Sequence, residues 1–232
     1  VPRIIGENLA EHRAQKRARL FEALRDLLDE KGFESITLAE IAKRAQVGRT
    51  AIYNHFPDKE SILLAYITEQ TRSYAKDLAA ELQQIDDPIV KIRRYIRRQL
   101  RLNSTIHVSA GIDLRHVVTP ETAMELSAHA VIIEDILRTI LREAMRQGKI
   151  IEQRTEPLVQ LLHATLSLGI RETDPHGYAG MIIATEEFGL RALGAEVEPT
   201  SEAEYQELVK LAEADLSAQR TGSRPSVCPV NH

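Results

Sequence analysis

TLAEIAKRAQVGRTAIYNHF, Thr37 to Phe56, decides how the rest of the chain is read. Thr37 is a good helix N-cap and Glu40 follows three residues later, which predicts a capping box. Leu38, Ile41, Ala42 and Ala45 then mark one apolar face at helical spacing. The pattern breaks at Gln46-Val47-Gly48, where Gly48 is expected to form a tight turn and begin a second helix. That helix, Arg49 to His55, is expected to turn Ile52, Tyr53 and Phe56 inward, and Pro57-Asp58 stops it and starts another. Two short helices joined by such a turn form either an ordinary helical hairpin or a helix-turn-helix, whose second helix enters the DNA major groove. The side chains favour the second reading. Arg49, Thr50 and Asn54 point outward, with the polar groups of Tyr53 and His55 at the end. All can hydrogen-bond, one is a cation, and none is a carboxylate.

From Arg17 onward, some forty residues resemble the TetR family of transcriptional regulators. Leu20, Phe21, Ala23, Leu27, Leu28, Gly32 and Phe33 match its first helix, and Thr37, Ile41, Ala42 and Ala45 its second. Ile52-Tyr53-Asn54-His55-Phe56 and Asp58-Lys59-Glu60 match the third helix and the entry to the fourth. The chain departs from the family at two places: Ala45-Gln46-Val47-Gly48 stands where the family often has Ala-Gly-Val-Ser, and Thr50-Ala51 where it often has Gly-Thr. The resemblance implies a homodimer that binds a double-stranded DNA operator and is released from it by a small-molecule effector.

The composition agrees with an all-α protein. Ala, Leu, Arg and Glu are common in the 232 residues, aromatics make up 4%, and Trp is absent. The single cysteine, Cys228, excludes an internal disulfide framework and suggests a reducing compartment. No apolar run reaches the roughly 18–20 residues of a membrane span, and the first residues lack an apolar signal core. The expectation is a cytoplasmic protein with no membrane partner. Residues 1–60 carry 11 Lys+Arg against 10 Asp+Glu, and residues 61–219 carry 17 against 24. A near-neutral head on an acidic body suits a DNA reader whose body stays off the duplex.

The predicted organisation is a three-helix head at 1–60, a larger helical ligand-binding and dimerisation body at 61–219, and a disordered tail at 220–232. Residues 1–10 are expected to be weakly ordered, with a helix from about Glu11 to Lys31 capped by Gly32. Arg13, Lys16, Arg17 and Arg19 at its start form either a solvated helix end or a phosphate-binding cluster, and the family pattern favours Arg17. A long helix follows Asp58 to about Gln83, with Lys59 in its first turn. The next helix carries Lys91, Arg93, Arg94, Arg97, Arg98 and Arg101, read either as a face paired with acidic neighbours or as a site for an anionic effector. Asn103 to Val118 is expected to be less regular. Thr119-Pro120-Glu121 starts a helix that Gly148 ends. Helices at about 156–171 and 174–193 mix large apolar with small residues. They suit either the chain's own core or a four-helix seam between two chains, and the resemblance favours the seam. A last amphipathic helix spans about 201–218.

No catalytic motif, metal-ligand spacing or phosphate-cradling glycine loop is present, so neither an enzyme nor a cofactor or metal site is expected. Base readout is assigned to Arg49, Thr50 and Asn54, because Arg pairs bidentately with guanine and Asn with adenine. Phosphate contact is assigned to Arg17, Thr37, Tyr53, His55 and Lys59. Tyr95, Gln99, Asn103 and His163 are candidates for an effector pocket. The competing reading is a helical homodimeric module that binds a small molecule or protein and recognises no operator.

Overall fold

The computed structural model describes residues 2–110, 118–167 and 169–221. They form α-helices and one short 3-10 turn, without strands. The helices are α1 (Pro2–Glu30), α2 (Leu38–Arg44), α3 (Arg49–His55), α4 (Lys59–Leu82), α5 (Pro88–Ala110), α6 (Pro120–Arg146), α7 (Thr155–Leu166), α8 (Pro175–Ala192) and α9 (Glu202–Thr221), with the 3-10 turn Phe33–Ser35 after α1. No described helix is long and apolar enough to cross a membrane. The chain forms two compact units: Val1–Thr68 with Ser109–Leu126, and Glu69–Val108 with Ser127–His232.

The first unit is built around α1, α2, α3 and the start of α4. Leu20, Leu24, Ile41, Ile52, Ile62 and Leu63 are fully buried. Phe21 joins the helices: its ring lies 6.3 Å from Phe56 and 5.6 Å, edge-on, from Tyr66. The capping box of α2 is formed as the sequence predicts. Thr37 Oγ1 accepts from the Glu40 N–H at 3.3 Å, while Glu40 Oε2 accepts from the Thr37 N–H at 3.0 Å. Lys31 donates to the same carboxylate at 2.7 Å and so ties the end of α1 to the first turn of α2. Asp58 caps α4 by accepting from the Ser61 N–H at 2.7 Å. Glu60 Oε2 accepts from both the N–H (3.1 Å) and the Oγ1 (2.7 Å) of Thr119, which holds the start of α6 within this unit.

In the second unit α5 is a central strut. Tyr95, Ile92 and Ile96 are buried among Leu78, Leu137, Leu141, Ile182 and Leu190. Gly189 of α8 allows close packing: a Cβ there would lie 3.2 Å from Leu162 and 3.4 Å from Ile96. Gly148, at φ 65°, ends α6 as expected, with the Lys149 N–H returning to the Ala144 carbonyl at 2.9 Å.

Several expectations change. α1 begins at Pro2 rather than near Glu11: Pro is suited to a first helical position, and Arg3, Glu7, Leu9 and Ala10 after it are good helix formers. α5 continues through Asn103 to Ala110, while α7 ends at Leu166, ahead of Gly169 at φ 61°. Gly32 does not form a left-handed cap: its φ is −62°, and it opens the 3-10 turn. Gly48 is not the tight residue of the helix-turn-helix either. It is the N-cap of α3 at φ −59°, and the left-handed residue is Gln46, at φ 54°. Tyr53 is 47% exposed, so only Ile52 and Phe56 anchor α3. Arg220 and Thr221 complete α9; the remainder of the expected tail, with Cys228, lies outside the described residues, as do Gly111 and His116.

Gly48 has ordinary L-residue torsions, no side-chain cap, and open space for 4 Å around the point where a Cβ would stand. Gly48→Ser should therefore stabilise the protein by about 0.5–1 kcal/mol, read from urea unfolding. Lys31, with the hydrogen bonds from Thr37, holds the Glu40 carboxyl down to about 2 against its ordinary 4.5. The folded value lies below the unfolded one, so this stabilisation is complete above pH 4.5 and is lost as pH falls through about 2. The stability difference between wild type and Glu40→Gln should accordingly be full at neutral pH and shrink over that window.

Candidate nucleic-acid interface

The outer face of α3 is a short polar surface on an apolar mount. Arg49, Thr50, Tyr53, Asn54 and His55 are exposed, while Ile52 is fully buried and Phe56, the C-cap, is nearly so. Residues at 49, 50, 53 and 54 recur at helical spacing, so they share one side of the helix. The face contains no carboxylate, which leaves Arg49 free of an acidic neighbour on its own helix. The α2–α3 turn is held by the Val47 N–H on the Ala42 carbonyl at 2.9 Å, with Ala45 and Val47 buried beneath it. Gln46 is not among the residues that the sequence marks for this surface, yet it is exposed in that turn. Its sign in the sequence is the departure from glycine.

The expected phosphate-contacting residues differ in how free they are. Arg17 is exposed, with its guanidinium 4.9 Å from the centre of the Phe21 ring. Thr37 commits its N–H and its hydroxyl proton to Glu40 Oε2, at 3.0 and 2.9 Å. Lys59 Nζ donates to the carbonyls of Phe33 (3.1 Å) and Glu34 (2.8 Å) and lies 4.7 Å from the centre of the Phe33 ring. It thus secures the turn after α1 and retains one of its three N–H donors for another acceptor.

In the second unit the cations of α5 are neutralised locally. Lys91 pairs with Glu143 at 2.8 Å, Arg94 with Glu81 at 3.1 Å, and Arg101 with Asp215 through two bonds of 2.7 and 2.8 Å. Arg98 is 3.5 Å from Glu81. Arg93 and Arg97 converge on Glu186 of α8, which is 1% exposed; Arg97 Nη2 reaches Glu186 Oε2 at 2.9 Å and also pairs with Glu204. Burial pushes the Glu186 carboxyl above its ordinary value, against the opposing pull of Arg97 and Arg93. Of the two sequence readings of this charge run, the structure therefore supports internal pairing.

Two of the four pocket candidates, Tyr95 and His163, are in contact. Tyr95 is fully buried; its hydroxyl is 2.6 Å from His163 Nε2 and 3.3 Å from the Ile133 carbonyl. If the hydroxyl donates to the carbonyl, His163 must be the donor in the shorter bond. Gln99 Nε2 donates to the Tyr74 hydroxyl at 2.9 Å. Asn103 belongs to α5, but its side chain lies outside the described residues. Among the described residues, no three His, Cys, Asp or Glu side chains gather to hold a metal.

The family profile described as bacterial regulatory proteins, tetR family, matches residues 20–66. The transcriptional repressor AcnR of Corynebacterium efficiens is 23% identical over 150 residues, covering 65% of this chain and 75% of that protein. The regulator UidR of Escherichia coli K12 is 22% identical over 171 residues, covering 71% and 84%. Among solved structures, the fatty acid degradation regulator FadR of Bacillus halodurans superposes with a TM-score of 0.60 at 16% identity, covering 88% of this chain and 94% of that one. RolR in complex with resorcinol gives 0.54 at 22% identity, covering 86% and 95%. At these identities the structural likenesses show the fold. The family profile thus identifies residues 20–66 as a helix-turn-helix of the tetR family of bacterial regulatory proteins, set in an all-helical architecture that these solved structures share.

Proposed function

We propose that this protein is a sequence-specific repressor that binds a partly palindromic operator as a homodimer and leaves it when a small molecule binds. The observation that carries this reading is the outer face of α3: exposed Arg49, Thr50 and Asn54 on a helix whose other face is locked into the head. Arg49 is assigned to a guanine edge, Asn54 to adenine, and Thr50 to either. Arg17, Tyr53, His55 and Lys59 are assigned to phosphates. Thr37 would join them by turning its hydroxyl away from Glu40. The role is regulatory rather than enzymatic, and it is exercised in the cytoplasm.

A helix-turn-helix reads two half-sites one helical turn apart, which calls for a two-fold dimer. α7 and α8 supply a suitable face. Leu161 and Phe188 are 66% and 60% exposed, and Ala164, Gly180 and Ala184 lie at helical spacing from them. Small residues let helices of two chains approach closely, and the large pair supplies the apolar area.

For the effector, the buried phenol of Tyr95 and amide of Gln99 and the half-buried imidazole of His163 border an aliphatic core. They support a ligand with an apolar body and one or two hydrogen-bonding groups. The FadR of Bacillus subtilis has been solved with stearoyl-CoA and RolR with resorcinol, both ligands that join apolar and polar groups. Such a ligand shifts the repressor only if it binds one arrangement of the heads better than the other. α4 belongs to the first unit by residues 59–68 and to the second by residues 69–82, so it is the helix assigned to carry that difference.

Selection of random DNA with the purified protein tests the central claim: enrichment of a palindrome supports it, and salt-sensitive, sequence-blind binding refutes it. On the selected operator, Arg49→Ala should cost about 1–3 kcal/mol and relax preference at one position of each half-site. Leu161→Glu combined with Phe188→Glu should give a monomer by sedimentation and weaken operator binding by about 100-fold or more, because the two half-sites are no longer linked.

A further inference from the structure

Gln46 is conformationally costly where nothing in the fold demands it. Among the described residues it is the only non-glycine at positive φ. A left-handed backbone presses the Cβ of an L-residue toward the following carbonyl oxygen, a contact that glycine lacks. The turn needs no side chain at this position. It is closed by main-chain bonds, Val47 N–H to Ala42 and Gln46 N–H to Lys43, and sealed by the buried Ala45 and Val47. The Gln46 side chain is exposed and makes no hydrogen bond among the described residues. Glycine would therefore serve the fold better, and strain retained in this way points to use elsewhere. The residue stands three positions before Arg49, at the margin of the exposed surface that α3 presents.

We propose that Gln46 contacts DNA, its side-chain amide donating a hydrogen bond to an operator phosphate beside α3. The proposal rests on the reading of α3 as the base-reading helix. In a helix-turn-helix, base edges are met by the first residues of the second helix, while the helix before it crosses the sugar-phosphate backbone. A turn residue ahead of α3 is thus placed toward phosphate, and Gln is among the neutral side chains that bond to it. A neutral donor displaces no counterion, so this contact strengthens binding without steepening its salt dependence.

The test compares the full-length wild type with Gln46→Gly and Gln46→Glu, by thermal unfolding and by operator binding over a salt series. The operator is the sequence that the wild type enriches from random DNA. Gln46→Gly should melt about 2–4 °C higher and yet bind about 5-fold more weakly, with the enriched sequence and the salt slope unchanged. Gln46→Glu keeps the shape but sets an anion against the phosphate, and should bind more weakly still. A glycine variant that bound as tightly as wild type would overturn the contact and leave the repressor reading intact. A lower melting point for that variant would overturn the strain argument. A changed base preference would overturn the phosphate assignment. A wild type that enriched no sequence would remove the parent reading, and the contact with it.

Discussion

A helix of seven residues cannot hold itself together in water. Its few internal hydrogen bonds do not offset the cost of nucleation, so its order must come from what it packs against. This is the condition under which α3 exists. Ile52 is wholly buried and Phe56 lies against Phe21, whose ring also meets Tyr66 of α4. The surface assigned to DNA therefore has no shape of its own, and takes it from α1, α2 and α4. Precision at Arg49 and Asn54 depends on that packing, since a side chain on a wandering helix cannot select a base edge.

The head is largely legible from the chain because its information is local. Thr37 and Glu40 announce α2 at a fixed spacing, Asp58 announces α4, and the apolar residues of α2 recur on one face. What the sequence misplaces depends on choices between similar local options. Gly32 and Gly48 both offer a left-handed turn and neither makes one, because Lys31 continues α1's bonding to Leu27 and Val47 closes the α2–α3 turn one residue after Gln46. Lys59 illustrates a different limit. Its partners, the carbonyls of Phe33 and Glu34, lie far back in the chain, and no spacing rule connects them.

The body is harder to read for the same reason. The cations of α5 look like a single exposed face in the sequence, yet their partners come from α4, α6, α8 and α9, many of them dozens of residues away. Glu186 shows what that arrangement does. A carboxylate this deeply buried is tolerated because two guanidiniums approach it, and removing either would strand charge in a poorly solvated place. Asp215 does similar work at the other end of α5, accepting from Arg101 and from the Tyr178 hydroxyl at 3.1 Å. These pairs link α5 to α8 and α9.

Lys59 and Glu60 are neighbours in the chain with unrelated duties: one grips the turn behind α1, the other the residue that caps α6, Thr119. The residue from which α6 departs is thereby tied to the first turn of α4, a junction between two helix starts that lie about sixty positions apart in the chain and that a single carboxylate holds.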